Sequence, residues 1–199
     1  MRPVVMNLLG ALTHPRGCKT LLGCSVGELS GAVKPLGGQQ MPRYPPDRWE
    51  DYTPLGVPVK GTRLLPIRLP IPLDKSRYIP PHQRFSFDDL FAHVRRYGQS
   101  ICCIIDLTFT KYYDPRILHS TGVRYHKIYV EGHQVPDPKH VDEFVRVIQS
   151  ERERSSDGLI AIHCTHGVNR TGYLVCRYLI DVLKMDPVDA LRGKLFFYL

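Results

Sequence analysis

Residues 162–173 constrain the fold of this chain more than any other stretch. The apolar run 159–162 leads into them and predicts a buried strand. An apolar helical stripe leaves them, formed by Leu174, Val175, Tyr178, Leu179, Val182 and Leu183. Between strand and helix lies the pattern His-Cys-x5-Arg, so the chain must turn sharply and present a loop at a helix N-terminus.

The spacing of Cys164 and Arg170 has a chemical reason. Five intervening residues let the loop curl until its N–H groups converge on one point, which makes an anion site at a helix N-terminus. The same donors should lower the pKa of Cys164 and favour a thiolate. Arg170 offers a planar fork that matches two phosphoryl oxygens. The pattern therefore predicts phosphoryl transfer through a cysteine nucleophile, without a metal.

Composition narrows the class of protein only partly. A chain of 199 residues with 43% hydrophobic residues suits one globular domain, and no apolar run is long enough to cross a bilayer. The formal charge of +8 favours polyanionic partners such as RNA, although a phosphate pocket also explains basic charge. The six cysteines show no Cys-x-x-Cys spacing and predict reduced thiols and no zinc site. We expect a monomer without membrane contact.

Two segments differ in character. Residues 1–40 carry small residues, Gly and Pro without periodicity and predict a mobile tail, with a mitochondrial presequence as the alternative. Residues 41–199 are expected to form the catalytic domain. Its first part, 42–52, is rich in Pro and aromatic residues and should lie extended across a surface. Trp49, the only Trp, is expected to be a packing anchor rather than a base-stacking platform.

From residue 61 onward, strand and helix patterns alternate. Residues 61–69 predict an edge strand because Pro66 cannot donate within a central ladder. Arg63 and Arg68 either line an RNA path or face solvent at that edge, and we favour solvent. Further strands are predicted at 101–107, 123–130 and 159–163, and helices at 87–97 and 139–154. This alternation predicts an α/β fold with a central, mostly parallel twisted sheet flanked by helices, and ligands at the carboxyl ends of its strands.

The helix ends carry local signals. Ser86 and Asp89 predict a capping box at the start of the first helix. The run 151–154 predicts a solvated helix end. Asp186 and Pro187 predict another helix start. Gly193 is expected to interrupt that helix.

The run 163–173 resembles the cysteine-based, dual-specificity-like phosphatases, and among them the RNA 5′-triphosphatase branch that includes the amino-terminal domain of metazoan capping enzymes. Classical protein phosphatases more often have Ala and Gly where this chain has His166 and Asn169. The other stretches that carry the resemblance are 47–52, 61–63, 105–108 and 132–137. Members of the family would continue the helix after Pro187 and add another, so the resemblance implies a domain that is atypical or truncated after about residue 191, with C-terminal helices missing.

The resemblance implies an RNA 5′-polyphosphatase that acts through a phosphocysteine, without metal or cofactor. It would remove the γ phosphate, and the β phosphate where a diphosphate end is met. Cys164 would be the nucleophile and Arg170 the clamp. The phosphate would also be bound by Thr165, His166, Gly167, Val168 and Asn169.

Supporting roles also follow from the resemblance. His163 would tune the thiolate or serve structure alone. Thr171 would donate its hydroxyl to the sulfur as the thiolate leaves, and Asn169 would brace the loop. Asp137 lies where protein phosphatases carry a general acid. A diphosphate leaves as a stable anion and gains little from protonation, so Asp137 is a weak acid, a loop-ordering residue or neither, and His133 is equally open.

Two other functions are consistent with the sequence. One is a dual-specificity protein phosphatase acting on phosphotyrosine and phosphoserine. The other is an inactive RNA- or phosphate-binding module, should missing C-terminal helices have abolished turnover. The expected partners are RNA with a 5′-di- or triphosphate end and, by resemblance, ribonucleoprotein or splicing-related proteins. The expected location is the nucleus, with the cytoplasm as the alternative.

Overall fold

The computed structural model describes residues 42–195. The expected tail at 1–40 and the apolar end at 196–199 therefore lie outside the described residues. A four-stranded, all-parallel sheet has the order β1-β4-β2-β3. Its strands are β1 (Leu64–Ile67), β2 (Ile101–Asp106), β3 (Arg124–Lys127) and β4 (Leu159–His163). The main helices are α1 (Phe87–Arg96), α2 (Pro138–Arg154), α3 (Asn169–Asp181) and α4 (Pro187–Leu195).

The predicted α/β class is confirmed, with helices flanking a parallel sheet. Within 42–195, none of the helices has the length and apolar character needed to span a bilayer. Short 3₁₀ segments lie outside the main elements at Trp49–Asp51, Leu73–Lys75, Pro81–Gln83 and Pro115–Thr121.

The strand order brings three strand ends together. His163, the last residue of β4, pairs with Ile67 of β1 on one side and with Asp106 of β2 on the other. The ladder continues one step further, since the Leu107 amide donates to the His163 carbonyl at 2.8 Å. Because all strands run the same way, the chain after β4 emerges at the carboxyl edge of the sheet, where parallel sheets bind ligands.

Local signals predict the helix starts correctly. Ser86 caps α1 through a complete capping box with Asp89. Asp186 caps α4, where its side chain accepts from the Val188 amide at 2.8 Å. The prediction that Gly193 interrupts this helix is wrong, because α4 continues to Leu195. One glycine disfavours a helix by only about 1 kcal/mol relative to Ala, which neighbouring turns can offset.

The segment 42–60, here called the arm, is anchored by Trp49. This side chain is fully buried, as predicted, and its indole N–H donates to the Leu69 carbonyl at 3.0 Å. The Arg68 guanidinium lies 3.6 Å from the centre of the Trp49 ring and donates to the Tyr52 and Gln83 carbonyls, both at 2.7 Å. The arm is thereby fixed to the end of the edge strand β1.

The solvent-facing position predicted for Arg68 is wrong, as is the alternative that it lines an RNA path. Its side chain is only 4% exposed, and burial lowers its pKa to about 10. Arg63 lies just before β1, where it donates to the Asp157 carbonyl at 2.7 Å and the Gly158 carbonyl at 3.1 Å. That is the amino edge of the sheet, opposite the Cys164 loop.

The prediction of a solvated end at 151–154 is wrong for Glu151. Its side chain is fully buried and bonds Arg124 at 2.6 Å and His126 at 2.9 Å, both on β3. The reason is helical geometry: Glu151 follows Ile148 by three residues and Phe144 by seven, so it lies on the buried face of α2. The remaining residues of the run are exposed.

Candidate active site

The phosphate loop, residues 164–170, joins the end of β4 to the start of α3. Its sharp turn depends on Gly167, which has a φ of +75°. A Cβ at this position would lie 2.5 Å from the carbonyl oxygen of Ile67 on the edge strand. Only glycine fits such a conformation and such a contact. The end of β1 therefore forms a wall against which the loop is shaped.

The Cys164 side chain lies at the base of this loop and is 2% exposed. Burial alone would raise the pKa of its thiol. The charge of Arg170, the hydroxyl and amide of Thr171 and the amide of His166 outweigh burial and hold that pKa below its usual value. Among the described residues, the buried Thr171 hydroxyl has no partner other than this sulfur. The arrangement favours an ionised sulfur.

The Arg170 guanidinium is held by neutral oxygens from three segments. It donates to the Val130 carbonyl at 2.9 Å, the Leu107 carbonyl at 3.4 Å and the Thr165 hydroxyl at 2.8 Å. It forms no ion pair with any residue of 42–195. Its charge is therefore oriented by the protein without being neutralised, as a clamp for a phosphoryl group requires.

A buried polar layer lies beneath the nucleophile. His163 is fully buried; its Nε2 shares a hydrogen bond with the Tyr113 hydroxyl at 2.7 Å, and its Nδ1 lies 3.2 Å from the Cys164 carbonyl. Burial lowers the pKa of His163 and favours the neutral ring. This ring holds the backbone of Cys164, so its position fits the structural role and the tuning role equally.

Asp106 and Lys127 extend this layer, and the sequence patterns assign neither of them a role. The Asp106 carboxylate accepts from the Lys127 ammonium at 2.9 Å and from the Tyr125 hydroxyl at 2.8 Å, and lies 3.9 Å from His163. The sequence does show that Asp106 is a carboxylate at the end of an apolar strand, which could have indicated a polar role for it. Its partners cannot be predicted from that pattern, because they lie on another strand.

The arm contributes to the site through His166. The Nε2 of this loop residue lies 2.8 Å from the Asp47 carbonyl, and its ring packs on Tyr52 with centroids 4.9 Å apart. On another side of the loop, the Tyr112 hydroxyl interacts with Thr165. No sequence pattern indicates a role for these two tyrosines, since neither lies near the Cys-x5-Arg motif.

The loop residues Val168 and Asn169 occupy the start of α3. The Val168 carbonyl accepts from the Gly172 amide at 2.9 Å. Asn169 is exposed, and its side chain makes no hydrogen bond within the described part of the chain. The expected bracing role of Asn169 is therefore not observed. The phosphate-binding roles of residues 165–170 stay predictions that agree with their location.

Asp137, the candidate general acid, lies outside the phosphate loop. It immediately precedes α2, its side chain is 64% exposed, and its carboxylate lies 3.4 Å from Lys139. His133 is exposed in the preceding loop, with a φ of +63°. Neither residue has a hydrogen bond or ion pair to the loop among the described residues, and their roles in catalysis stay predictions.

One cluster of metal-ligand types exists in the described residues, away from the loop. Cys103, His126 and Glu151 place their ligand atoms within 4.8 Å of one another. Both carboxylate oxygens of Glu151 already bond Arg124 and His126, and burial raises the pKa of the Cys103 thiol far above its usual value. This cluster fits an ion-pair network better than a metal site.

Comparison with known proteins identifies the family. The family model described as "Dual specificity phosphatase, catalytic domain" matches residues 90–193, which include the phosphate loop. The chain belongs to the dual-specificity phosphatases. The RNA/RNP complex-1-interacting phosphatase of Homo sapiens is 41% identical over 81% of this chain and 48% of its own length. This phosphatase chain thus spans about half the length of the curated relatives that it matches first.

Other relatives are covered more fully. The RNA/RNP complex-1-interacting phosphatase homolog of Caenorhabditis elegans is 36% identical over 79% of this chain and 71% of its own length. The tyrosine-protein phosphatase of Autographa californica nuclear polyhedrosis virus is 36% identical over 73% of this chain and 86% of its own length. The crystal structure of Tk-PTP in its active form has a TM-score of 0.53 at 15% identity, covering 71% of this chain and 82% of that one, which supports the fold alone.

Proposed function

We propose that this phosphatase removes terminal phosphate from the 5′-tri- or diphosphate end of RNA through a phosphocysteine intermediate. Two observations support an RNA substrate over a phosphoprotein. Relatives at 41% identity are named for an RNA/RNP complex. The phosphate loop also carries His166 and Asn169, the residues by which it resembles RNA 5′-triphosphatases.

The observation that carries the proposal is the unequal geometry of the site. The nucleophile Cys164 and the clamp Arg170 face one another across one loop, whereas Asp137 is exposed and paired with Lys139. A tyrosyl or seryl oxygen must be protonated as it leaves, because its conjugate acid is weak. An RNA 5′-diphosphate leaves as a stable anion. The nucleophile and the clamp suffice for an anhydride, and the exposed position of Asp137 supports that substrate over an ester.

The reaction follows from the placed groups. The Cys164 thiolate attacks the terminal phosphorus; the S–P bond forms while the P–O bond to the next phosphate breaks, and the electron pair leaves on the RNA. The loop amides and Arg170 stabilise the equatorial oxygens. Water then attacks the phosphocysteine and the S–P bond breaks. Inorganic phosphate departs as the dihydrogen anion, carrying the oxygen and both protons of that water, and the Thr171 hydroxyl stabilises the regenerated thiolate.

A single assay tests the proposal. The full chain is offered 5′-triphosphorylated RNA and a phosphotyrosyl peptide, with chelator present and Cys164→Ser as the inactive control. We expect release of phosphate from RNA that the control lacks. A clear preference for the peptide would favour a protein phosphatase, the activity for which the viral relative is named. Binding of RNA without release of phosphate from either substrate would favour a binding module.

The proposed substrate also leads to a proposal for the cellular location of the protein. We propose that it acts in the nucleus as a monomer, on RNA within ribonucleoprotein or splicing-related assemblies. A fluorescently tagged full chain should concentrate in nuclei and co-purify with RNA after crosslinking. A uniformly cytoplasmic signal would contradict this part of the proposal without affecting the chemistry.

A further inference from the structure

Two exposed aromatic side chains, Phe109 and Tyr129, form what is here called the aromatic pair. They are 55% and 46% exposed. Their rings pack edge to face with centroids 6.5 Å apart and an interplanar angle of 81°. Single exposed hydrophobic residues are ordinary on protein surfaces. An interlocked pair is less so, because each ring holds the other in place and both keep an exposed surface.

The aromatic pair flanks the phosphate clamp. Tyr129 directly precedes Val130, whose carbonyl accepts from Arg170 at 2.9 Å. Phe109 lies two residues after Leu107, whose carbonyl accepts from the same guanidinium at 3.4 Å. The two backbone segments that carry the pair therefore also hold Arg170. Both segments follow the carboxyl ends of β2 and β3, the edge of the sheet where the phosphate loop lies.

Two lysines lie near the aromatic pair, Lys127, which is paired with Asp106, and Lys111. The Lys127 ammonium lies 5.2 Å from the centre of the Tyr129 ring. Lys111, two residues after Phe109, is exposed and close enough to repel Lys127. Exposed rings beside cationic groups are the surface that proteins use to bind single-stranded nucleic acid, because bases stack on the rings while the cations attract the phosphates.

We propose that the aromatic pair is a nucleobase-binding subsite, which stacks the first base of the RNA while the terminal phosphate occupies the phosphate loop. This inference rests on the proposed function. Two further phosphates and a ribose separate the terminal phosphate of a triphosphate end from its base. The base therefore extends past the loop to its rim, where the pair lies. A phosphotyrosyl ring, attached directly to its phosphate, would stay closer to Cys164.

The test compares substrates with and without a base. The wild type and the double variant Phe109→Ala/Tyr129→Ala are assayed on a 5′-triphosphorylated trinucleotide, on the same RNA with an abasic first nucleotide, and on inorganic tripolyphosphate. We expect the ratio of kcat/KM for RNA to that for tripolyphosphate to fall by about tenfold or more, as for the loss of a stacked base. The abasic RNA should show little further change in the variant.

Two control variants separate stacking from other effects. Phe109→Tyr/Tyr129→Phe keeps both rings and should keep the substrate ratio of the wild type. Tyr97→Ala removes an exposed aromatic at the end of α1, before β2 begins and hence at the opposite edge of the sheet. It should also leave the ratio unchanged. Circular dichroism verifies that each variant is folded.

A spectroscopic signature completes the test. With 2-aminopurine as the first base, RNA binding to the Cys164→Ser protein should quench the fluorescence, and removal of the aromatic pair should abolish the quenching. An unchanged substrate ratio, or an equal loss on RNA and tripolyphosphate, would overturn the subsite while RNA hydrolysis by the wild type stands. No hydrolysis of RNA by the wild type would overturn the proposed function, and the subsite with it.

Discussion

At the scale of single residues, the site turns on how one buried sulfur stays ionised. Burial raises the pKa of Cys164, whereas Arg170 and Thr171 lower it by more. Because the pKa in the folded protein lies below that of the unfolded chain, the ionised sulfur contributes stability above the unfolded pKa. That contribution is lost as the pH falls through the folded pKa. Each group that favours the thiolate should therefore be visible in a titration of Cys164.

Thr171→Val should raise the pKa of Cys164. The substitution removes a hydroxyl that stabilises the thiolate. The rate of alkylation by iodoacetamide, measured against pH, should reach its midpoint at a higher pH in the variant. Thr171→Ser keeps the hydroxyl and is the control. An unmoved midpoint would show that the hydroxyl does not act on the sulfur.

Asp137→Ala should leave RNA hydrolysis within about tenfold of wild type, a barrier change of roughly 1.4 kcal/mol. The reason is that the exposed carboxylate is paired with Lys139 and the leaving diphosphate needs no proton. Single-turnover rates on 5′-triphosphorylated RNA provide the measurement, with Lys139→Ala as the matched control for loss of the ion pair. A hundredfold loss for Asp137→Ala alone would identify this residue as the general acid.

At the scale of elements, the phosphate loop is shaped by the edge strand β1. Gly167→Ala should reduce kcat/KM by about 100-fold, since a displacement near 1 Å in a catalytic site can have that effect. The new Cβ would meet the Ile67 carbonyl, so the loop must move. Kinetics on any accepted substrate measure the loss.

Gly61→Ala is the matched control for Gly167→Ala. Both glycines have a φ of +75°, but a Cβ added at Gly61 would meet only open space. Each substitution should destabilise the fold by about 1–2 kcal/mol from backbone strain. Only Gly167→Ala should impair catalysis beyond that loss of stability. Equal activities of the two variants would mean that strain, and not the wall formed by β1, governs the loop.

Glu151 ties α2 to the edge strand β3. Glu151→Gln should lower the free energy of unfolding by about 1.5–3 kcal/mol at pH 7, since it removes the charge of a buried carboxylate that bonds the partly exposed Arg124. Burial opposes ionisation, but Arg124 and His126 keep the pKa of Glu151 below its usual value. The stabilisation is therefore present above about pH 4.3 and disappears as the pH falls through the lower folded value.

Urea unfolding at pH 7 and at pH 3 measures this difference between Glu151→Gln and the wild type. Glu153→Gln, on the exposed face of the same helix, is the control and should change stability by no more than about 0.5 kcal/mol. A deficit of equal size at both pH values would show that the carboxylate charge is not what holds α2 to β3.

The elements also show which features the sequence could predict. Ser86 caps α1 through a residue three positions away, and Cys164 and Arg170 share one loop, so both features are written in local spacing. Glu151 and Arg68 are wrongly predicted to face solvent because their partners come from other elements. Arg124 lies 27 positions from Glu151, and no periodicity links the two. Sequence patterns specify elements, whereas partners across the sheet depend on the strand order.

At the scale of the whole molecule, the arm couples chain packing to the phosphate loop. Trp49 fixes the arm to the sheet, and the Asp47 carbonyl holds His166 of the loop. Trp49→Ala should therefore lower the free energy of unfolding by about 3–5 kcal/mol. The substitution leaves a cavity at a fully buried aromatic site and removes the ring on which the Arg68 guanidinium packs.

Circular dichroism in guanidinium chloride measures that loss, since the variant lacks the only Trp of the chain. Trp49→Phe retains a ring but loses the bond to the Leu69 carbonyl, and should retain most of the stability. A loss below about 1 kcal/mol for Trp49→Ala would mean that the arm is not part of the cooperative fold.

The almost complete burial of Cys164 limits which phosphate groups can reach its sulfur. A terminal phosphate can reach a buried sulfur because only one substituent trails behind it. An internal phosphodiester would have to bring two nucleotides to the same buried position. On the proposed RNA substrate, we therefore expect hydrolysis at the 5′ end and no cleavage of interior linkages.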